Sequence, residues 1–345
     1  MVAVKTPDIF DVARQAGVST ATVSRTINHP ELVRADTRKR IMDAIEATGY
    51  IRNRAARSIH QYRSGTIGLL VPTIDNSIFS HLIQAFSETL NELDFTMLIS
   101  TNGYDLDLEH SHLRNMLELR VDAIALVGLE HTDRSYGLIT GRRTPAVAMW
   151  NYDENSLISC VGADNRTAGR IAAEHITDLG HRKIAVMFPP VTGNDRARFR
   201  LEGVMKVLEE REVPLPEHWR LTTKYDTSQA QAAGRTLLNS PDRPTAIIAG
   251  NDIIARGAIS AAAHLGLSVP EDISVIGFGD FAGSAEGIPP LTSVNLNADQ
   301  IGRTAAKLLV EQILKETSNT MTRILADTQL IVRQSTAKPI DSQQR

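Results

Sequence analysis

The chain has 345 residues, of which 42% are hydrophobic and 22% are charged, values that are ordinary for a folded globular protein. Its formal net charge of −3 conceals an asymmetry, because residues 1–63 hold 11 Lys/Arg against 6 Asp/Glu, whereas residues 64–345 hold 26 against 34. No run approaches the ~18 apolar residues of a membrane span, the first residues do not resemble a secretory signal, and the single cysteine, Cys160, excludes an intrachain disulfide. We therefore expect a cytoplasmic protein of two or three domains, whose basic end is either a nucleic-acid-binding head or simply a solvated surface.

The first 50 residues predict three short helices. Asp8 precedes the run IFDVARQAG and can accept hydrogen bonds from the free N–H groups at a helix start, and Gly17 permits the positive φ of a helix end. Ser19 is placed to cap a second helix, TATVSRTIN, and an apolar stripe from Thr37 to Ala47 predicts a third. Together these make a helix-turn-helix, although the same spacing also suits a small helical bundle that binds no nucleic acid.

In a helix-turn-helix, the N-terminal part of the second helix meets base edges in the major groove. Arg25 can reach guanine O6 and N7 with two hydrogen bonds, which is worth ~1–3 kcal/mol of discrimination between bases. The serines suit phosphate contacts, which position the protein without specifying a sequence. The residues of the head that we expect to contact DNA are Ser19, Thr20, Ala21, Thr22, Ser24, Arg25 and Asn28.

From Thr66 onward, short apolar runs alternate with helical patterns, as in TIGLLVP, FSHLIQAFSETLNEL, FTMLIS and VDAIALVG. This alternation is typical of parallel sheets that are covered by helices on both faces. It contains more strand–helix units than one compact domain holds, so it predicts two α/β lobes. The polar stretch 51–64 is expected to be a linker, and residues 341–345 a short tail.

Catalysis, a cofactor and a metal are not expected. The run GFGDFA matches a glycine pattern of dinucleotide-binding folds, but the glycine and prolines that follow would break the helix that this pattern must open. His110 and His112 would point to different faces of one helix, which is poor geometry for chelation. We therefore predict a binding protein rather than an enzyme.

The run DVARQAGVSTATVSRTIN, followed by VRADTRKRIMDAIEATGYIRNRAARSI, closely resembles the head of the LacI/GalR repressor family, and the resemblance continues through nearly the whole chain. It implies an α/β two-lobed core like that of the periplasmic binding proteins, with an N-terminal all-α helix-turn-helix domain. The expected limits are 1–50 for the head, 51–64 for the hinge, 65–340 for the core, about 66–165 plus 295–324 for lobe one, and about 166–292 plus 325–338 for lobe two.

The resemblance also implies a homodimer that binds a palindromic double-stranded DNA operator and answers to a small carbohydrate or sugar-acid effector. Some relatives are repressors released by an inducer and others are held on DNA by a corepressor, and both modes stay open for this chain. The alternative is a sugar-binding receptor module without DNA binding. The basic head and the absence of a recognisable signal sequence argue against that alternative.

In the family, the segment after the head forms a short hinge helix on DNA, and an apolar side chain from it enters the minor groove. At the matching positions Asn53 can cap such a helix, and Arg54 and Arg57 stand where phosphates are contacted. Ile59 replaces the usual Leu of the lever position, and this stiffer, β-branched side chain can kink DNA differently. In the free protein the segment is expected to be a flexible tether, because so short a helix is not stable alone.

Ligands of parallel α/β sheets bind beyond the carboxyl ends of the strands. Phe79 can stack on a sugar face or belong to the core, and Asp252 can bind ligand or cap the following helix, and both pairs of alternatives stay open. The positions that match the family's effector cleft are Asn76, Phe79, Asn151, Arg200, Tyr225, Asn251, Asp252 and Asp280.

Two departures from the family remove negative charge from this cleft. The family often has two acids after the strand ISVIGF, but here Gly279 replaces the first and Asp280 keeps the second. Asn151 stands where lactose-type members have Asp. Because a cleft with fewer carboxylates repels an anion less, we hypothesise a sugar acid such as gluconate rather than a neutral sugar.

Overall fold

The computed structural model describes residues 6–51, 63–75, 77–315 and 321–340. The chain divides into two compact units, a head of Met1–Ser64 and a core domain of Gly65–Arg345. Every helix among the residues that the structure describes is too short or too polar to cross a lipid bilayer.

The head contains three helices, α1 (Ile9–Ala16), α2 (Thr20–Asn28) and α3 (Ala35–Thr48). Asp8 caps α1 by accepting from the N–H groups of Phe10 and Asp11 at 2.9 and 3.0 Å, and the Asp11 carboxylate accepts from the Asp8 N–H at 3.1 Å. The helix α3 begins two residues before the expected Thr37, because nothing in ADTRKR interrupts a helix. The buried side chains that hold the three helices together are Val12, Ala13, Ala16, Val23, Ile41 and Ala44.

The core domain alternates strands and helices. Its strands are β1 (Thr66–Val71), β2 (Thr96–Thr101), β3 (Ala123–Val127), β4 (Ala146–Asn151), β5 (Ser159–Ala163), β6 (Ile184–Phe188), β7 (Arg220–Thr222), β8 (Ala246–Ala249), β9 (Ser274–Phe278), β10 (Thr292–Asn295), β11 (Arg323–Leu325) and β12 (Gln329–Ile331). Its helices are α4 (Ser77–Glu92), α5 (Leu106–Glu118), α6 (Asp133–Arg142), α7 (Asn165–Asp178), α8 (Asp195–Glu210), α9 (Thr227–Leu238), α10 (Asp252–His264) and α11 (Ala298–Lys315).

The strands form two six-stranded sheets, one in each lobe. The order in lobe one is β11-β5-β4-β3-β1-β2, and the order in lobe two is β12-β10-β9-β8-β6-β7. All strand pairs are parallel except β10 with β12. The chain passes between the lobes three times, after β5, after β10 and after β11. The expected two-lobed α/β core with an all-α head is therefore confirmed.

In lobe two, α7 and α8 cross at backbone contact. A Cβ on Gly169 would lie 2.0 Å from the Arg200 carbonyl oxygen, and a Cβ on Gly203 would lie 2.1 Å from the Arg166 carbonyl oxygen. No side chain fits at either position, so the two glycines allow the helices to approach this closely. The crossing places the start of α7, at Asn165, beside Arg200 of α8.

We expect Gly203→Ala to lower the free energy of unfolding by about 1–3 kcal/mol, because the added methyl group must push the backbones of α7 and α8 apart. Gly137→Ala in α6 is the matched control, since a Cβ there meets nothing within 4 Å and alanine favours a helix. Urea denaturation should therefore move in opposite directions for the two variants. Equal stability of Gly203→Ala and the wild type would contradict the close crossing.

Candidate DNA-binding helix and effector cleft

The helix α2 presents one face for contact and buries the other. Val23 and Thr26 are buried against the head, whereas Ala21 and Arg25, one turn apart, are exposed. The exposed face carries no acidic residue, which would repel phosphate, because the sequence TATVSRTIN contains none.

The other expected DNA contacts of the head are partly engaged within α2. The Ser19 hydroxyl accepts from the Thr22 N–H at 3.2 Å as the helix cap, and Ser24 Oγ accepts from Asn28 Nδ2 at 3.2 Å. Thr20 and Thr22 are half-buried. These contacts order the first turn of the helix, and DNA contact by these residues stays a prediction.

Five expected site residues lie outside the described residues. Four belong to the hinge and one follows β1; they are Asn53, Arg54, Arg57, Ile59 and Asn76.

A cavity of about 420 Å³ opens between the two lobes of the core domain. It lies at the carboxyl ends of strands from both sheets, which is the edge at which parallel α/β sheets usually bind ligands. Lobe one lines it with Thr73, Asp75, Gly103 and Tyr104, and lobe two with Pro189, Pro190, Thr192, Asn194, Lys224 and Tyr225.

Two tyrosines, one from each lobe, meet across this cavity. The ring centroids of Tyr104 and Tyr225 are 6.3 Å apart, and Asn194 Nδ2 donates to the Tyr225 hydroxyl at 3.1 Å. Burial, together with the nearby Tyr225, raises the pKa of Tyr104 well above its ordinary value, so Tyr104 stays a neutral hydrogen-bond donor. Of the expected effector residues, the structure places Tyr225 in the lining of the cavity.

The Asp195 carboxylate, at the start of α8 in lobe two, joins the lobes. Its Oδ2 accepts from the Leu129 N–H at 2.7 Å and from Asn151 Nδ2 at 2.9 Å, both in lobe one. Its Oδ1 accepts from Arg196 at 2.8 Å, and the same guanidinium donates to the Val127 carbonyl at 3.1 Å. Asn151 is thus part of the contact between the lobes.

The environment of Asp195 favours its ionised form. Burial raises the pKa of this carboxyl, but Arg196 and the hydrogen bonds from Leu129 and Asn151 outweigh burial, so its pKa lies below the ordinary value of 3.8. A nearly fully buried charge is tolerated here because both carboxylate oxygens are paired.

A chain of amides connects this contact to Arg200. Asn165 Nδ2 donates to Asn151 Oδ1 at 3.1 Å, and Asn165 Oδ1 accepts from the Arg200 guanidinium at 2.7 Å. Trp150, just before Asn151, has a φ of 79°, a conformation that costs a non-glycine residue of order 1–3 kcal/mol. A Cβ on the neighbouring Gly162 would lie 2.4 Å from the Asn151 nitrogen. Glycine at this position therefore makes room for the backbone conformation of Trp150.

Three of the expected effector residues, Phe79, Asn251 and Asp280, make contacts within the protein. Phe79 is buried and packs edge-to-face on Trp150 with a centroid distance of 5.5 Å, so stacking on a ligand stays a prediction. The expectation that Asp252 caps the following helix is wrong, because Asn251 Oδ1 accepts from the Ile254 N–H and is the cap. Asp280 pairs with Arg333 at 2.7 Å.

The Asp252 carboxylate holds the loop that follows β9. It accepts from the Phe281 N–H at 2.9 Å, from Ser284 Oγ at 2.8 Å and from Ser293 Oγ at 2.6 Å. With these bonds made and the side chain buried, Asp252 has a structural role, and its contact with effector stays a prediction.

Both units of the chain match known proteins. Residues 8–53 match a family model described as bacterial regulatory proteins, lacI family, and residues 173–336 match one described as a periplasmic binding protein-like domain. The HTH-type transcriptional repressor PurR of Proteus mirabilis (strain HI4320) is 30% identical over 331 residues, which cover 95% of this chain and 96% of that protein. The chain belongs to the LacI family of transcriptional regulators.

Solved structures of transcriptional regulators are similar to nearly the whole chain. The lac repressor dimer bound to operator and the anti-inducer ONPF is 26% identical, with a TM-score of 0.83 over 96% of this chain and all of that one. The complex of the transcriptional regulator CelR with cellobiose is 29% identical, with a TM-score of 0.68 over 95% of this chain and 99% of that one. The resemblance to the LacI/GalR family expected from the sequence is confirmed.

Sequence reasoning missed several residues that organise this LacI-family cleft. Tyr104, Asn165, Asp195 and Arg196 were not expected there, although Asp195 and Arg196 stand next to the expected Arg200 in the run DRARFRLEG. A polar residue directly at a helix start after a strand was the available signal. Within the described residues, no group of three or more His, Cys, Asp or Glu side chains is placed to hold a metal ion.

We expect Asp195→Ala to lower the free energy of unfolding of the core domain by about 3–5 kcal/mol, because it leaves the buried Arg196 guanidinium unpaired. Asp107→Ala is the control. Asp107 also pairs with an arginine, Arg134, but both side chains are exposed, so its loss should change stability little. Urea denaturation measures both. A loss for Asp195→Ala no larger than for Asp107→Ala would show that the lobes are held together elsewhere.

The depressed pKa of Asp195 also predicts a pH dependence. The folded state binds this proton less readily than the unfolded chain, so the carboxylate stabilises the fold fully above its ordinary value of 3.8 and loses that contribution as pH falls through the lower, folded pKa. The stability difference between wild type and Asp195→Asn should be largest at pH 5–7 and shrink below about pH 4. A difference that does not change between pH 7 and pH 3 would contradict the assignment.

Proposed function

We propose that this chain is a transcriptional repressor that binds a palindromic DNA operator as a homodimer and is controlled by a small carbohydrate or sugar-acid effector held between its lobes. One observation carries the proposal. One chain contains both a helix suited to contact DNA and a polar cleft between two lobes. The helix, α2, is capped, carries no acidic residue and exposes Arg25. The chain aligns over nearly its full length with a repressor. The lac repressor dimer, a similar structure, is bound to operator and to a small molecule.

The contact between the lobes is the part of the core domain whose stability an effector in the cleft can change. Asp195 and Arg196 of lobe two bond directly to backbone and side-chain groups of lobe one, so a ligand that binds this arrangement more or less tightly than another shifts the balance between them. A difference in ligand affinity between two lobe orientations becomes a difference in DNA affinity, with a coupling free energy of ~1–3 kcal/mol. Whether effector releases or strengthens DNA binding follows from which orientation it prefers.

We propose that the cleft binds and does not catalyse, and that the protein acts on DNA in the cytoplasm. In the described part of the cleft, the side chains of Asp195, Asn151, Asn165 and Arg200 are hydrogen-bonded in series. They do not form a nucleophile beside an oriented base, which covalent catalysis needs.

A selection from genomic DNA tests the regulator proposal. Purified protein is mixed with fragmented DNA of its source, with and without a panel of sugars and sugar acids, and the bound fragments are sequenced. We expect enrichment of a palindrome whose halves lie about one helical turn apart. No enrichment under any of these conditions would favour a receptor without DNA binding.

We expect Arg25→Ala to relax base preference at one position in each half of the operator, by about 1–3 kcal/mol, because a bidentate contact to guanine is lost. Arg14→Ala is the matched control. It removes the same charge from the same head, but from α1, which does not read bases. Binding-site selection with randomised DNA measures the preference. An unchanged preference in Arg25→Ala would show that another side chain of the head reads the bases.

A further inference from the structure

The docking loop, residues 128–131 after β3, carries lobe-one groups on which lobe two docks. The Leu129 N–H donates to Asp195 Oδ2 at 2.7 Å. Gly128 lies directly against the ion pair of lobe two, since a Cβ on it would lie 2.0 Å from Arg196 Nη1 and 2.7 Å from Asp195 Oδ1. The backbone of the loop must therefore keep one conformation for these contacts to form together.

Two side chains hold the docking loop from within lobe one. His131 Nε2 lies 3.0 Å from the Gly128 carbonyl oxygen, and His131 Nδ1 lies 2.9 Å from Glu109 Oε1 on α5. The Tyr136 hydroxyl on α6 donates to the Leu129 carbonyl at 2.7 Å, and its ring packs edge-to-face on His131. The side chains of His131 and Glu109 are 1% and 6% exposed, so water competes little for their bonds.

Both ring nitrogens of His131 face acceptors. A carbonyl oxygen cannot donate, and a neutral imidazole has one N–H group and one nitrogen lone pair. The bond to Gly128 uses the N–H of Nε2, so the contact with Glu109 needs one further proton, either on His131 Nδ1 or on the carboxyl. In both cases the pair binds this proton jointly, and its titration belongs to the pair. Without the proton, a nitrogen lone pair faces a carboxylate oxygen.

The ionisable groups that face His131 are Glu109 from α5, Tyr136 from α6, and Asp195 with Arg196 from α8. Burial, with the nearby Asp195 and Glu109, raises the pKa of the Tyr136 hydroxyl well above its ordinary value, so it stays a neutral donor. Burial raises the pKa of Asp195, whereas Arg196 and, with a smaller effect, a charge on His131 lower it. Because Arg196 is already paired with Asp195 at 2.8 Å, the charge left for a proton on His131 to balance is that of Glu109.

Two further contacts complete these surroundings. Asn102 Nδ2 donates to Glu109 Oε2 at 3.4 Å, and Glu130 of the docking loop pairs with Arg198 of lobe two at 3.1 Å. The first uses the other carboxylate oxygen, and the second is a further bond between the lobes. Neither supplies a donor between Glu109 Oε1 and His131.

We propose that the proton bound jointly by Glu109 and His131 clamps the docking loop, and that the contact between the lobes weakens as pH rises and this proton is lost. Loss of the proton removes the bond from α5 to the loop, so Gly128 and Leu129 are held less firmly in the conformation that receives lobe two. Because the clamped loop binds one proton more than the released loop, raising the pH favours the released loop.

The clamp opposes the effect of Asp195 in its dependence on pH. The contribution of the Asp195 carboxylate is lost as pH falls, whereas that of the clamp is lost as pH rises. The contact between the lobes is therefore most stable at intermediate pH. Its consequence for regulation rests on the proposed function: where lobe orientation sets the affinity for DNA, pH acts on that affinity beside the effector.

Glu109→Gln separates the proton from the hydrogen bonds. Glutamine has nearly the same shape, its Oε1 can accept from Asn102, and its Nε2–H can donate to a neutral His131, so the clamp forms without a titrating proton. Glu118→Gln is the matched control, since it makes the same change on the same helix at an exposed residue. His131→Gln is a second test variant, which removes the titrating ring but keeps an amide that can donate to Gly128.

Hydrogen exchange of the Leu129 amide measures the contact in the full chain, because this N–H donates to Asp195. After correction for the intrinsic exchange rate, we expect its protection to fall about tenfold or more from about pH 6 to about pH 9 in the wild type and in Glu118→Gln. In Glu109→Gln and His131→Gln the change should be less than about threefold. The same pH dependence in the wild type and in these two variants would overturn the proposal.

Nitrogen NMR of the His131 ring follows the proton itself. In the wild type we expect the Nδ1 resonance to move toward that of an unprotonated nitrogen over the same pH range, while Nε2 keeps its proton. In Glu109→Gln the resonances of both nitrogens should be independent of pH. A wild-type Nδ1 resonance that does not change with pH would overturn the joint binding of the proton.

DNA binding separates failure of this proposal from failure of the one on which its regulatory consequence rests. Fragments enriched in the operator selection are titrated with the wild type and Glu109→Gln at the two ends of the pH range. We expect the ratio of the two dissociation constants to differ at least threefold between the proteins, and equal ratios would overturn the consequence for regulation. No enriched DNA, with pH-dependent protection of Leu129 intact, would remove the regulator and leave the clamp.

Discussion

The hydrogen bonds that the buried Asp195 carboxylate accepts from lobe one are the interaction on which the arrangement of the two lobes depends. One carboxylate from lobe two accepts hydrogen bonds from a backbone N–H and an amide of lobe one, while Arg196 beside it balances its charge and bonds to a lobe-one carbonyl. A buried ion pair of this kind is costly unless every oxygen is satisfied. These polar contacts therefore help to set the relative position of the lobes, alongside a hydrophobic cluster that contains residues of both lobes.

Close helix packing brings the remaining polar groups to this contact. Gly169 and Gly203 let α7 and α8 touch at their backbones, and this places Asn165 between Asn151 and Arg200. The resulting series of amides runs from the contact between the lobes to a buried guanidinium. Two hydrogen bonds, Arg200 to Asn165 and Asn165 to Asn151, thus separate Arg200 from the contact between the lobes, which is a physical basis for control by a ligand.

Linkage makes this control reciprocal. If an effector changes the affinity of the dimer for DNA, DNA must change the affinity for the effector by the same factor. Of the free energy of effector binding, only the part that differs between two lobe orientations affects DNA binding. A repressor can therefore bind its effector tightly and still respond over a moderate range.

The sequence by itself determined the local structure and the family. Asp8, Gly17 and Ser19 act on N–H and C=O groups within a few residues, so the caps of the head could be predicted from spacing alone, and the alternation of strands and helices predicted the two-lobed core. Only the tertiary structure decided the partners within the cleft. Asp195 lies 66 residues from Leu129 and 44 from Asn151, and no local pattern records such a pairing, because strand order and helix crossing create it. For the same reason Asn251 rather than Asp252 caps α10, since Asp252 is drawn into bonds with the distant residues that follow β9.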